Sequence, residues 1–138
     1  MTSANDALPR LRELAEEAAT HAYAPYSHFS VGAALLWSDG AILTGCNVEN
    51  ISYGLTSCAE RNAVFRRISE QGPGAQIVAI AVTNPAGEMC SPCGACRQVM
   101  HEFAASDAVI TYRIPGGWAT RPFAELLPDA FILRRGGK

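Results

Sequence analysis

The stretch Gln76 to Thr83, QIVAIAVT, is the feature that most constrains the fold. It is almost entirely apolar, whereas a strand with one face in water would alternate apolar and polar residues. The run therefore predicts a short strand that is buried on both faces. Since both faces must be covered, we expect an α/β fold in which helices pack on both sides of a sheet.

Turn and cap residues divide the chain into elements in the order α-β-β-α-β-α-β-β-α. Ser38-Asp39-Gly40 predicts a hairpin between the first two strands. Pro115-Gly116-Gly117 is too short for a crossover, so we expect the last two strands to pair antiparallel. The pattern predicts a three-layer fold around a five-stranded mixed sheet. The predicted helices cover about 9–22, 56–72, 91–105 and 122–127, and the predicted strands cover about 30–37, 41–49, 76–83, 108–114 and 118–120.

Length and charge limit the organisation and the partners. The 138 residues predict a single domain over 1–138, with short flexible tails at 1–7 and 134–138. A formal net charge of −2 gives no basic excess for polynucleotide phosphates, so no nucleic-acid partner is expected. The chain has neither an apolar run of roughly 20 residues nor a secretory signal pattern, so we expect no membrane partner and a cytoplasmic location.

Five cysteines in a chain expected in the reducing cytoplasm indicate metal or redox chemistry. Cys93-Gly94-Ala95-Cys96 is a C-x-x-C motif at the start of a predicted helix, where positions i and i+3 share a face. Cys58 opens another predicted helix, and helix N-termini favour thiolates. Cys58, Cys93 and Cys96 are therefore candidate zinc ligands. The alternative is a thiol-disulfide oxidoreductase that uses the C-x-x-C pair.

The other two cysteines bear on whether such a site is catalytic or structural. Three protein ligands leave an open catalytic position, whereas four close the site. If Asn47 and Glu49 face the site from one side of their strand, Cys46 cannot. Ser91-Pro92 places Cys90 outside the helix, so we interpret Cys90 as a free cysteine. A structural zinc module, with Cys46 or Cys90 as the fourth ligand, is the alternative.

Glu60 has two competing interpretations. Ser57 and Glu60 have the S-x-x-E spacing of a capping box, in which the carboxylate would bond to the Ser57 N–H. Beside a metal-bound Cys58, the same carboxylate would instead be an acid-base catalyst. Arg61 follows directly and is expected to donate hydrogen bonds to the cysteine sulfurs, reducing their negative charge.

C-A-E-R at the start of one helix and P-C-G-A-C-R-Q at the start of the next closely resemble the small cytidine deaminases. The resemblance extends over APYSHFSVGAALL, GCNVEN, SYG and ELLPDAF, which is most of the chain between about residues 22 and 131. It implies a cytidine-deaminase-like fold with one Zn²⁺ per subunit, held by Cys58, Cys93 and Cys96. It also implies that Glu60 moves protons during hydrolysis of cytidine and 2'-deoxycytidine, as in pyrimidine salvage.

The resemblance further implies how a small pyrimidine nucleoside is bound. The equivalent of Phe29 packs on the nucleoside, and those of Asn47 and Glu49 hydrogen-bond the ribose. The backbone at Ala59 meets the pyrimidine oxygen. In this family an antiparallel last strand pair belongs to the branch that acts on free nucleosides.

Tyr53 and Phe131 resemble the residues that reach a neighbouring subunit's site in this family's homotetramers. The chain departs from the family pattern at Asn62, where a threonine is frequent, at Cys90, and in its short tail after Phe131. None of these departures removes an implied catalytic group. Deamination of another aminopyrimidine nucleoside, such as a blasticidin-type antibiotic, is the neighbouring alternative.

Overall fold

A computed structural model of the chain describes residues 3–133, so the predicted tail at 134–138 and the first two residues lie outside the described part. Its helices are α1 (Ala4–Ala19), α2 (Ala59–Gln71) and α3 (Gly94–His101). Its strands are β1 (Gly32–Trp37), β2 (Ile42–Cys46), β3 (Ile77–Thr83), β4 (Ala104–Ile114) and β5 (Gly117–Pro122). Short 3₁₀ turns cover Tyr53–Leu55 and Phe123–Leu126.

The five strands form one mixed sheet in the order β2-β1-β3-β4-β5. β3 and β4 are parallel, and the other neighbouring pairs are antiparallel. The β1–β2 hairpin and the antiparallel β4–β5 pair confirm the two turn predictions. No helix in residues 3–133 is both long and apolar enough to span a bilayer.

Helices cover both faces of this sheet, as the apolar run of β3 predicted. Every β3 residue except Val78 is buried. On one face Leu11 of α1 packs with Ala34 of β1. On the other face the cluster contains Val64 of α2 and Met100 of α3. Because α2 and α3 lie on the same face, their N-termini can supply side chains to a single site.

The start of the first helix differs from the prediction. α1 begins at Ala4, so the expected tail at 1–7 is wrong for residues 4–7, and the expected start at Pro9 is too late. Ser3 caps the helix, since its Oγ accepts a hydrogen bond of 3.1 Å from the Asp6 N–H. Pro9 lies inside the helix, where its missing N–H leaves the exposed Asn5 carbonyl to water. A capped, solvated N-terminus thus tolerates a proline that the sequence pattern assigned to the first turn.

The third helix is shorter than predicted at both ends. Cys93, rather than Ser91, is the N-cap, and Pro92 lies before the helix. At the other end β4 already begins at Ala104, which pairs with Ile77 of β3. Backbone pairing with a buried strand therefore overrides the helical pattern of this segment.

One ion pair joins the β1–β2 turn to α2. The Arg67 side chain is buried, and its two terminal nitrogens donate to the Asp39 carboxylate at 3.0 and 2.6 Å. The guanidinium carbon also lies 5.0 Å from the Trp37 ring centroid. The hydrogen bond from Arg67 lowers the pKa of Asp39 from its ordinary 3.8 to about 2.

We expect Asp39→Asn to lower the thermal midpoint by several degrees at neutral pH, because it leaves a buried guanidinium without its counter-ion. A depressed folded-state pKa means that the stabilisation is complete above the unfolded-state pKa. It is lost as pH falls through the folded-state value, so the difference from wild type should shrink between about pH 4 and pH 2. Thermal unfolding of wild type and Asp39→Asn across that pH range measures the difference between their thermal midpoints. A pH-independent difference would contradict the expectation.

Candidate active site

Three thiols meet where α2 and α3 begin. Cys58 is the N-cap of α2, Cys93 is the N-cap of α3, and Cys96 lies in the first turn of α3. Their sulfur atoms all lie within 4.8 Å of one another. Cys93 Sγ and Cys96 Sγ are 3.4 Å apart, and both residues are free cysteines. The structure thus brings together the three predicted ligands.

The electrostatics of this cluster fit a bound cation. A hydrogen bond from the Cys96 thiol, helped by Arg61, lowers the pKa of Cys58 to about 5. The same interaction, together with burial, raises the pKa of Cys96. The three thiols therefore do not ionise together easily unless a positive ion compensates their charge. Three soft sulfur donors at helix N-termini match the ligand preferences of zinc, one ion for each subunit.

Cys46 and Cys90 lie outside this cluster. Neither forms a disulfide, and the interpretation of Cys90 as a residue that does not bind the metal stays a prediction. Burial raises the pKa of the Cys90 thiol to about 11. The described residues thus offer three converging sulfurs, the ligand number of a catalytic zinc site.

Glu60 is not part of a capping box. The helix starts one residue later than that motif requires, and the Ser57 N–H donates to the Val48 carbonyl at 2.9 Å. The Ser57 hydroxyl donates instead to Asn62 Oδ1 at 2.6 Å. Glu60 is only 4% exposed, and its burial raises the pKa of the carboxyl to about 7. A carboxyl with that pKa exchanges protons readily near neutral pH.

Arg61 lies beside the thiol cluster, in the position expected from the sequence. One of its terminal nitrogens lies 3.5 Å from Cys58 Sγ and 3.3 Å from the Thr56 carbonyl oxygen. This positive group stabilises negative charge on the sulfur.

A cavity of about 300 Å³ connects these groups to the predicted substrate contacts. Cys58, Ala59, Glu60 and Cys93 line one part of it. The sequence predicted the further lining residues Phe29, Asn47 and Glu49, and it missed Ser27, Val31, Thr56, Met89, Cys90 and Ser91. Among the missed residues only Cys90 stood out in the sequence, as a possible fourth zinc ligand. Most of the others lie in loops around 27–31 and 89–91, where the sequence does not distinguish them from ordinary loop residues.

Asn47 and Glu49, which follow β2, are buried and form hydrogen bonds with the segment 26–31. Asn47 accepts a hydrogen bond from the Val31 N–H and donates one to the Phe29 carbonyl, both at 2.8 Å. Glu49 accepts hydrogen bonds from the Ser27 hydroxyl and from the backbone N–H groups of residues 26 and 27. These bonds fix both side chains in the cavity wall, and they lower the pKa of Glu49, with Ser27 as the main cause.

Tyr53 and Phe131 do not line this cavity. Tyr53 is 64% exposed and Phe131 is 76% exposed. The Tyr53 ring makes an edge contact with Tyr26, with centroids 6.4 Å apart. Within this subunit, neither residue joins the other candidate substrate contacts.

The chain is similar to known proteins over most of its length. Residues 7–112 match the family model described as "Cytidine and deoxycytidylate deaminase zinc-binding region". The cytidine deaminase of Mycobacterium tuberculosis is 47% identical over 123 residues, which cover 89% of this chain and 88% of that protein. The cytidine deaminase of Halalkalibacterium halodurans is 50% identical over 111 residues, which cover 80% of this chain and 83% of that protein.

Solved structures agree in fold. The crystal structure of cytidine deaminase from Burkholderia pseudomallei superimposes with a TM-score of 0.81 at 44% identity, covering 89% of this chain and 98% of that one. The crystal structure of the Mycobacterium tuberculosis enzyme gives a TM-score of 0.78 at 45% identity, covering 91% of this chain and 98% of that one. The similarity therefore extends over nearly all of both folds.

Proposed function

This chain belongs to the cytidine and deoxycytidylate deaminase family, and from that premise we propose that it is a zinc-dependent deaminase of cytidine and 2'-deoxycytidine. The reaction adds water to the pyrimidine and releases ammonia, which leaves uridine or 2'-deoxyuridine. The observation that carries the proposal is the buried Glu60 carboxyl, which lines one cavity with two of the clustered thiols and with Asn47 and Glu49.

Cys58, Cys93 and Cys96 would hold the zinc ion. When bound, zinc supplies a Lewis acid that lowers the pKa of water to near neutrality. Three thiolates would give the site a net negative charge and weaken this effect. Arg61 counteracts that charge, because its guanidinium lies next to Cys58 Sγ.

Glu60 is the proton carrier in this proposal. Its carboxylate accepts a proton from the attacking water and delivers it to the ring nitrogen beside the reacting carbon. It then removes the proton from the hydroxyl group newly bonded to the ring carbon and delivers it to the amino group, and the carbon–nitrogen bond breaks to release ammonia as the carbonyl forms. Burial raises the pKa of Glu60 to about 7, so neither accepting nor releasing a proton is strongly uphill.

The substrate contacts are assigned to the remaining predicted residues of the cavity wall. We assign ribose recognition to Asn47 and Glu49, stacking on the nucleoside to Phe29, and recognition of the pyrimidine oxygen to the backbone at Ala59. All four line the same cavity as Glu60. A cavity of about 300 Å³ has the volume of a small-molecule site. We further propose that the chain acts as a single domain in cytoplasmic pyrimidine salvage.

We assign the exposed aromatic residues to contacts between subunits of a homotetramer, in which Tyr53 and Phe131 complete neighbouring sites. Large exposed apolar side chains mark surfaces that bind protein. Ten of the twelve such side chains in residues 3–133 lie in segments next to the cavity residues or in the last described segment. They are Tyr23, Tyr26, Val48, Ile51, Tyr53, Leu55, Met89, Phe131, Ile132 and Leu133, whereas Ile42 and Phe65 lie on β2 and α2.

The direct test is turnover of cytidine and 2'-deoxycytidine by the zinc-loaded protein, followed by the ultraviolet change and by ammonia release. We expect both nucleosides to be deaminated, since the proposed contacts of Asn47 and Glu49 with the sugar do not assign a residue to the 2' position. Blasticidin S is the comparison substrate, because Asn47 and Glu49 favour a plain ribose. Turnover of the antibiotic alone would overturn the proposed substrate while leaving the deaminase chemistry in place.

A further inference from the structure

Asn62 connects two segments of the candidate site. It lies in the first turns of α2, and its Oδ1 accepts a hydrogen bond of 2.6 Å from the Ser57 hydroxyl. Its Nδ2 donates to the Cys46 carbonyl at 2.8 Å and to the Ser57 carbonyl at 3.3 Å. One amide group therefore bonds to the end of β2 and to Ser57, which precedes the N-cap of α2.

Each of these partners is the chain neighbour of a site residue. Cys46 directly precedes Asn47, and Ser57 directly precedes Cys58. Val48 and Ser57 also exchange two backbone hydrogen bonds of 2.9 Å each. The segment with Asn47 and Glu49 is thus hydrogen-bonded to the start of α2, where Cys58 lies.

The backbones of β2 and α2 meet here without side chains between them. A Cβ built on Gly45 would lie 2.4 Å from the Ala59 carbonyl oxygen and 2.6 Å from the Ala63 nitrogen. No side chain fits at this crossing, so the polar contacts beside it help to hold the strand end against the helix. Asn62 reaches the carbonyl of Cys46, the residue that follows Gly45.

We propose that Asn62 is a positioning residue that sets the nucleoside-binding strand end against the metal-binding helix start. This inference rests on the proposed function, because it assigns ribose recognition to Asn47 and Glu49. Asn62 does not line the cavity itself, so it acts through those two side chains. Its loss should weaken recognition of the ribose more than the proton transfers at Glu60.

Asn62→Ala tests this with steady-state kinetics and zinc analysis. We expect the KM for cytidine to rise about tenfold, the effect of ~1.4 kcal/mol. We expect kcat to stay within about threefold and zinc to stay at one per subunit. The ratio of kcat/KM for cytidine to kcat/KM for 2',3'-dideoxycytidine should fall, because Asn47 and Glu49 on the displaced strand end no longer hydrogen-bond the ribose hydroxyls. A purely stabilising residue would leave that preference unchanged.

Two further variants sharpen the test. Asn62→Asp keeps the size and the acceptor for Ser57 but loses the donor to the Cys46 carbonyl, so we expect it to resemble Asn62→Ala. Arg66→Ala is the matched control, since Arg66 also joins α2 to β2 through Thr44, at 3.4 and 3.5 Å, but away from the cavity. We expect it to leave KM and substrate preference unchanged.

The outcomes separate this inference from the function on which it rests. If the wild-type protein does not deaminate cytidine, the proposed function fails and the inference falls with it. If the wild type is active and both Asn62 variants keep its KM and substrate preference, only the inference is overturned. Loss of zinc or of the folded state in both variants also overturns the inference, because Asn62 would then stabilise the fold or the metal site rather than position Asn47 and Glu49.

Discussion

Glu60→Gln is expected to reduce cytidine turnover by several orders of magnitude while zinc stays at one per subunit. A single general acid-base group contributes roughly 10²- to 10⁴-fold. Glu60 would exceed that range because the proposed mechanism uses it for several proton transfers. The thermal midpoint should be unchanged or higher, since glutamine removes the cost of burying a carboxylate at a site that is 4% exposed.

Glu70→Gln is the matched control for this change. Glu70 lies on the same helix, but it is half exposed and pairs with Arg66 at 2.6 Å. Its replacement should leave kcat, KM and zinc content unchanged. Turnover of Glu60→Gln within about tenfold of wild type would show that another group carries the protons. Loss of zinc from Glu60→Gln would instead show that the carboxyl holds the metal.

The sequence predicted the parts of this molecule in which local pattern and final packing agree. The run at β3 is apolar at nearly every position because it is buried on both faces. The C-x-x-C pair converges because it starts a helix, where i and i+3 share a face. The short turns at 38–41 and 115–116 leave no room for a crossover, so the strands that they join pair antiparallel.

The capping-box interpretation of Glu60 and the predicted end of α3 were wrong, because residues distant in the chain form the hydrogen bonds there. The spacing of Ser57 and Glu60 matches a capping box, yet the Ser57 N–H is already bonded to Val48, nine residues earlier in the chain. Ala104 belongs to β4 rather than to α3 because it pairs with Ile77. Neither partner can be identified from the local pattern.

The loop that holds Glu49 shows the same limit within the candidate site. Two backbone N–H groups and the Ser27 hydroxyl bond to the Glu49 carboxylate from a segment 22 to 23 residues earlier. Backbone donors leave no trace in residue identity, so the sequence identified the acid but not its partners. The resemblance to the deaminases identified Glu49 as a candidate site residue, and the structure identifies the groups that hydrogen-bond to it.

Cys96→Ser is expected to lose bound zinc and, with it, all measurable turnover. Cys96 is fully buried within the thiol cluster, and a hydroxyl is a poor replacement for a thiolate ligand of zinc. Zinc that binds only the folded chain stabilises it by about 4 kcal/mol when free zinc is a thousand times Kd. The variant should therefore also unfold at a lower temperature than the zinc-loaded wild type, and added zinc should no longer raise its thermal midpoint.

Cys90→Ser separates the catalytic site from a closed structural one. Cys90 is also buried and lines the same cavity, but it lies outside the cluster of three sulfurs. Because the Cys90 sulfur does not converge with the other three, its replacement should keep zinc at one per subunit and turnover within a few-fold of wild type. Loss of zinc from Cys90→Ser would make Cys90 a fourth ligand, and the site would then lack the open position that deamination requires.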